Sequence, residues 1–282
     1  MDRTVTFEGN PLTLVGRNIA AGMTAPDFQV VTGGLEARSL KDFAGKIKIV
    51  TSFPSIDTPV CDLQVKEFNK KAAELSEDVV VLGISKDLPF AQARFCDMNG
   101  IEKVTVLSDY KSSSFGINYG LLIKELNLLA RSVMILDKNN VIRYVQLVKE
   151  ITDSPNYEDV LDILKGVIDT PEIKQEKVSP EKCKACSGGV AAMDQVAAEK
   201  ALAKYRGWEL VDGKKVVKTF EFKDFVEAKY FVDLIAVLAE EESHHPDIAI
   251  MYNKVKMTLT THAAKGLTDN DLIMATLIDG LE

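Results

Sequence analysis

No histidine occurs before residue 244; the chain's three are His244, His245 and His262. Chemistry in the first part must therefore run on cysteine, arginine, hydroxyls and carboxylates, unless the far end folds back onto it. Cysteine is scarce too, with only Cys61, Cys96, Cys183 and Cys186. In a reducing compartment so few point to catalysis, redox sensing or metal binding, not to a structural framework. No stretch approaches the roughly 18 uninterrupted apolar residues of a membrane span, so no membrane partner is expected. The net charge is −8 and no basic patch offsets it, which argues against a nucleic-acid partner. Met1-Asp2-Arg3-Thr4 lacks the basic-then-apolar pattern of a signal peptide, and a cytoplasmic location is expected.

What is present is the material of folded domains. Hydrophobic residues make up 46% and charged residues 27%, a core-forming composition. The length of 282 residues suits one large domain or two ordinary ones. Residues 4–7 and 12–15 read as strands around Gly9-Asn10-Pro11. Lys46 to Phe53 is β-rich and ends at Pro54. Residues 60–75 place Val60, Leu63, Val65, Phe68, Ala72 and Leu75 at approximate helical spacing. Residues 79–84 form a continuous apolar run, as in a strand buried on both faces. A helix is expected over 88–98, strands near 104–107, 132–137 and 141–148, and a helix over 156–168. Strands alternating with helices predict an α/β layered domain with a partly parallel sheet over residues 1–168.

Prolines, charges and Ser187-Gly188-Gly189 mark 169–192 as a linker. A second unit, 193–282, starts with a helix that Asp194 can cap and Gly207 can end. Trp208–Val211 and Lys214–Phe222 flank Asp212-Gly213, a type I′ hairpin signal. A long helix over 223–242, strands over 248–253 and 255–262, and a helix opened by Thr268-Asp269-Asn270-Asp271 complete it. The order α-β-β-α-β-β-α predicts a small α+β domain.

Cys61 falls where a strand runs through a loop into the first turn of a helix. Only a thiolate attacks a peroxide oxygen, and an unperturbed thiol, with a pKa of about 8.5, is a few per cent ionised at pH 7. Bringing such a thiol near 6 needs roughly 3 kcal/mol of differential stabilisation. A helix N-terminus supplies about 0.3–1 kcal/mol. A cation is required as well. Arg131, at the mouth of the expected 132–137 strand, is the candidate, and Thr58 can hydrogen-bond the thiolate and the peroxide.

Pro54, Thr58 and Cys61 form a P-x-x-x-T-x-x-C pattern that resembles the peroxiredoxin active site. The full string from Pro54 to Cys61, the N-terminal hairpin, Arg94-Phe95-Cys96 and Leu129-Ala130-Arg131-Ser132-Val133 resemble the thiol peroxidase branch. The resemblance covers residues 1–168. It implies a thioredoxin-like fold, Cys61 as the thiol that meets peroxide, Cys96 as the resolving cysteine, and Pro54, Thr58 and Arg131 as parts of the site. It also implies a cycle through a Cys61 sulfenic acid and a Cys61–Cys96 disulfide, which a thioredoxin-like protein reduces. Each cysteine sits on its own expected helix, so the reduced thiols are predicted to lie too far apart to bond directly, and one helix end must unwind.

Near the C-terminus, Pro246 takes His245 out of helical geometry. Three histidines that can converge suit general acid–base work near neutral pH, or a metal site. The metal reading is the weaker, because His244-His245 lacks the i, i+4 spacing of a helical clasp. Glu240-x-x-x-His244-His245-Pro246, Tyr252-Asn253-Lys254-Val255, Leu259-Thr260-Thr261-His262 and Gly266-Leu267-Thr268-x-x-Asp271 resemble pterin-4a-carbinolamine dehydratase over residues 190–282. That likeness implies His244, His245 and His262 around a pterin, Asp271 assisting, Trp208 near the pocket, and loss of water from a 4a-hydroxytetrahydropterin. It implies no cofactor. Ser243 and Ile248-Ala249-Ile250 depart from the family's habit. Thr268-x-x-Asp271 also fits a helix-capping box. Dehydratase-like domains also serve as dimerisation partners, so a homo-oligomer, dimer or tetramer, is expected. The alternative is a peroxidase whose second domain is a non-catalytic pterin-binding or oligomerising module. Cys183-x-x-Cys186 fits half a zinc site, a redox dithiol feeding the Cys61–Cys96 pair, or a leader carried along with the second domain.

Overall fold

The computed structural model describes residues 3–169, 183 and 191–281. They fall into two compact units, Met1–Pro180 and Glu181–Glu282. Most of the expected linker, Cys186 included, lies outside the described residues.

The first unit opens with the hairpin β1 (Arg3–Phe7) and β2 (Asn10–Val15), followed by the short strands β3 (Gln29–Val31) and β4 (Ala37–Ser39). Then come β5 (Ile47–Ser52), α1 (Pro59–Ala72), β6 (Val79–Ser85), α2 (Pro89–Asn99), β7 (Val104–Ser108) and the one-turn α3 (Ser114–Asn118). The strands β8 (Leu122–Ile123), β9 (Leu128–Leu129), β10 (Ser132–Leu136) and β11 (Ile142–Leu147) and the helix α4 (Tyr157–Asp169) complete it. The larger sheet runs β11-β10-β5-β6-β7-β3-β4, with β5, β6 and β7 parallel. It has the thioredoxin-like arrangement. A smaller sheet runs β1-β2-β8-β9.

The central strands are buried on both faces, as a parallel sheet requires. On one face Ile47, Ile49, Val81 and Val133 meet Val65 and Phe68 of α1 and Val160 and Leu164 of α4. On the other, Val50, Leu82, Ile84 and Met134 meet Val5, Leu12 and Leu14 of the hairpin. All of β5 is therefore inside, Lys48 included. The carboxyl ends of the three parallel strands form the crevice where doubly covered sheets place their chemistry.

Glu150 ties the hairpin to the turn after β11. Its half-buried carboxylate accepts from Gly9 N (3.0 Å), Thr6 Oγ1 (2.8 Å), Glu8 N (3.1 Å) and Thr152 Oγ1 (2.8 Å). The bond from Gly9 is the largest cause that holds this acid at about 2, against its ordinary 4.5. A lowered folded-state value means stability that is fully present above 4.5 and lost as pH falls through 2. The stability difference between the natural chain and Glu150→Gln, read from denaturant midpoints, is expected to be constant above pH 4.5. It should shrink to nothing near pH 2. A difference independent of pH across that window would remove this clamp.

The second unit contains α5 (Gln195–Leu202), β12 (Glu209–Val211), β13 (Lys215–Glu221), α6 (Phe225–Glu242), β14 (Asp247–Met251), β15 (Lys254–Leu259) and α7 (Asp269–Asp279). Asp194 caps α5 by accepting from Ala197 N. Asp212 and Gly213 both take positive φ, 54° and 64°, as the type I′ turn demands. The antiparallel sheet runs β12-β13-β15-β14. Val255, Met257 and Leu259 alternate inward along β15, and the apolar sides of α6 (Phe231, Leu234, Ile235, Leu238) and α7 (Leu272, Met274, Ala275, Ile278) are buried. One expectation is corrected. The last strand ends at Leu259, not at His262, because Thr261 pairs with Gly266 and His262 opens a 3-10 turn, His262–Ala264.

Candidate active sites

Cys61 is the third residue of α1, after Pro59, whose fixed φ and missing N–H suit a helix start. Thr58 occupies the cap position, but its side chain does not cap the helix. Its hydroxyl instead lies 2.8 Å from Cys61 Sγ and 3.0 Å from the Ser55 carbonyl oxygen. With one proton to give, it donates to the sulfur when that sulfur is an anion. Cys61 is 0% exposed, packed with Phe53, Ile56 and Val65, while Pro54 is buried in the loop before it.

Arg131 stands just before β10 and is 1% exposed. Its Nη2 donates to Cys61 Sγ at 3.3 Å and to the Ile151 carbonyl at 2.8 Å, and its Nε donates to the same carbonyl at 3.1 Å. Nη1 donates to Gln64 Oε1. Among the described residues no carboxylate forms an ion pair with Arg131. A buried cation without a counter-ion is costly, and of the groups that Arg131 donates to, Cys61 Sγ alone can carry a negative charge. The sequence reading missed Gln64. It lies one helical turn after Cys61 and is fully buried among apolar neighbours, and a polar residue on an apolar stripe was the available signal. Its Nε2 donates to Thr51 Oγ1 (2.5 Å) and the Ser52 carbonyl (3.3 Å), which fixes the oxygen that Arg131 meets.

Cys96 lies in the last full turn of α2, and its carbonyl accepts from Gly100 N, in the left-handed conformation, and from Ile101 N. Burial first, and then Asp97, push its thiol up to about 11. The two cysteines are therefore unlike: one is set between a cation and a hydroxyl, the other is kept protonated. Both are free thiols.

In the second unit α6 ends at Ser243, which takes φ 51° and turns the chain so that His244 is buried, 5% exposed. His244 Nε2 meets Asp271 Oδ1 at 2.8 Å. The other carboxylate oxygen accepts from Thr268 N (2.8 Å), Thr261 Oγ1 (2.9 Å) and Thr268 Oγ1 (3.2 Å). Asp271 thus closes a capping box at the start of α7 and holds His244 as well. Both readings of that residue apply together. His245 is exposed and meets Glu240 Oε1 at 3.0 Å, and His262 is exposed beside Thr261. Trp208 is not brought to this pair. Its indole donates to Asp279 at 3.1 Å, eight residues further along α7 and so about 12 Å from Asp271 at 1.5 Å per residue.

Among the described residues no three His, Cys, Asp or Glu side chains gather as a metal site would need. No described helix is long and apolar enough to cross a membrane.

Residues 20–161 match the redoxin family and residues 191–281 match pterin 4 alpha carbinolamine dehydratase. A thiol peroxidase of Bacillus subtilis is 52% identical over 164 residues, 58% of this chain and 98% of that protein. One from Streptococcus parasanguinis is 48% identical over 160 residues, 57% and 97% of the two chains. A solved peroxiredoxin-like protein from Aquifex aeolicus is 42% identical, with a TM-score of 0.56 across 59% of this chain and 98% of that one. The thiol peroxidase of Chromobacterium violaceum, 19% identical with a TM-score of 0.54 across 59% and 97%, has the same fold. The chain belongs to the redoxin family, as a thiol peroxidase that carries a pterin 4 alpha carbinolamine dehydratase domain behind it.

Proposed function

We propose that the first domain, residues 1–168, reduces hydrogen peroxide and organic hydroperoxides through Cys61 and Cys96. The observation that carries this is the buried Arg131, which has no carboxylate partner among the described residues and donates to Cys61 Sγ at 3.3 Å. The thiolate attacks one peroxide oxygen, the O–O bond breaks, and the departing oxygen takes a proton and leaves as water or an alcohol. Cys61 becomes a sulfenic acid. The Cys96 sulfur then bonds to Cys61 Sγ and the sulfenic oxygen leaves as water. A thioredoxin-like dithiol reduces the resulting disulfide.

For that second step Cys96 has to leave its protonating surroundings. The far end of α2 suits this. Asp97, Met98 and Asn99 are exposed, and such a turn opens at low cost. The first half of α2 stays anchored, because Gln92 Nε2 donates to Ser85 Oγ and the Leu107 carbonyl, each at 2.9 Å. Cys96→Ser should leave the first oxidation as fast as in the natural chain, with about one peroxide consumed for each Cys61, after which turnover with a protein dithiol stops. Stopped-flow fluorescence with a sulfenic-acid probe checks it. Full turnover in that variant would remove Cys96 from the cycle.

The second domain, 193–282, is read as dehydrating a 4a-hydroxytetrahydropterin to the quinonoid dihydropterin. The reaction needs a proton delivered to a departing hydroxide and one removed from a ring nitrogen. His244, its ring held by Asp271, and the exposed His245 and His262 supply groups suited to both. The chain is further read as a homo-oligomer.

A further inference from the structure

We propose that Asp87 is a positioning residue for Cys61, one that acts by tethering the loop between β5 and α1. This rests on Cys61 being the thiol that meets peroxide. The Asp87 carboxylate accepts three hydrogen bonds: from Ser55 Oγ (2.6 Å), Ile56 N (2.9 Å) and Ser85 Oγ (2.6 Å). Two of the donors belong to the loop before α1, and the third is a fully buried residue at the end of β6.

The tether is fixed at its sheet end. Ser85 also accepts from Gln92 of α2 at 2.9 Å, and the Asp87 backbone carbonyl accepts from Ser108 Oγ of β7. At its loop end it leads to the reacting atom. Ser55, which donates to Asp87, accepts at its carbonyl from Thr58 N at 3.1 Å, and the Thr58 hydroxyl lies 2.8 Å from Cys61 Sγ. Where Asp87 holds Ser55 and Ile56 therefore decides where Thr58 stands. Asp87 is also two residues ahead of Pro89, the first residue of the helix that carries Cys96. One side chain links the scaffold, the Cys61 loop and the root of α2.

A carboxylate in this neighbourhood opposes a thiolate by its charge alone. Its removal would then favour the thiolate. A tether predicts the opposite, because a loosened Thr58 no longer donates to the sulfur. The sign of the effect separates the two.

The experiment compares the intact chain with Asp87→Asn, Asp87→Ala and Ser55→Ala. It follows the rate at which Cys61 reacts with hydrogen peroxide, and with iodoacetamide across pH. Asn keeps the shape: its oxygen can go on accepting from Ile56 N and Ser85 Oγ while its amide N–H donates to Ser55 Oγ, which reverses that one bond; Ala keeps none. The pH at half-maximal reactivity should rise in the order natural, Asn, Ala, and peroxide reactivity should fall about threefold in Asn and about tenfold in Ala, the range that the net worth of one ordinary hydrogen bond spans. Ser55→Ala should shift the profile the same way by less. It and the Asn variant keep the test alive if the Ala variant misfolds. A profile that stays put or moves to lower pH in Asp87→Asn and Ser55→Ala overturns the tether. A natural chain whose Cys61 does not react with peroxide overturns the thiol assignment instead.

Discussion

Cys61→Ser is expected to abolish peroxide consumption, and Arg131→Met to slow it about tenfold to hundredfold, the worth of a charged hydrogen bond of about 1.5–3 kcal/mol. Serine keeps the size of the side chain and the hydrogen bond from Thr58, but a hydroxyl is not ionised at neutral pH and cannot become a sulfenic acid. The Arg131 result carries more information. The guanidinium is 1% exposed and donates to Cys61, Gln64 and the Ile151 carbonyl. Its removal leaves the Gln64 and Ile151 oxygens short of donors, which destabilises. It also takes away a buried charge that has no carboxylate partner among the described residues, which stabilises. These oppose each other, so the thermal midpoint of Arg131→Met should change little while reactivity falls. Proportional loss of both, measured by calorimetry and stopped-flow, would make Arg131 a structural residue.

His244→Ala is expected to slow dehydration of a 4a-hydroxytetrahydropterin by roughly 10²–10⁴-fold, the usual range for losing a general acid or base. The variant also leaves Asp271 Oδ1 without its 2.8 Å partner in a site where Asp271 is 0% exposed. His244→Gln separates the two effects, since an amide can still meet that oxygen but cannot carry a proton at neutral pH. Both variants should be comparably slow. Recovery of the rate in the Gln variant would show that His244 only props the start of α7, and that other groups move the protons.

The sequence made the order of the main elements legible, because each carries a clear period. The residues of β6 are apolar without a break as far as Ile84, those of β15 alternate, and α6 shows its apolar stripe. The weaker pieces escaped. Gln29–Val31 and Ala37–Ser39 are three residues each, and Leu122–Ile123 and Leu128–Leu129 two each. Such stretches are too short for any period to show, and they become strands only by pairing with one another and with β2 and β7. At the sites, side chains with a chemical signature could be read: Cys61, Thr58, Arg131 and the histidines. Their supports could not. Asp87 and Ile151 reach the Cys61 site from 26 and 90 residues away in sequence, and only folding of the sheet brings them there. Thr261, buried as the inward face of the expected strand implies, meets Asp271 ten residues on, across a 3-10 turn that the strand reading did not include. Trp208 was drawn to the pocket by family likeness, whereas the structure ties its indole to Asp279.

The two domains are expected to run separate chemistries, on a thiol in the first and on histidines in the second. The most direct test assays the intact chain for both activities, alone and with the single changes Cys61→Ser and His244→Ala. Cys61→Ser should lose peroxide reduction and keep pterin dehydration, and His244→Ala should do the reverse. Peroxide turnover that survives Cys61→Ser, or dehydration that survives His244→Ala, would contradict the account.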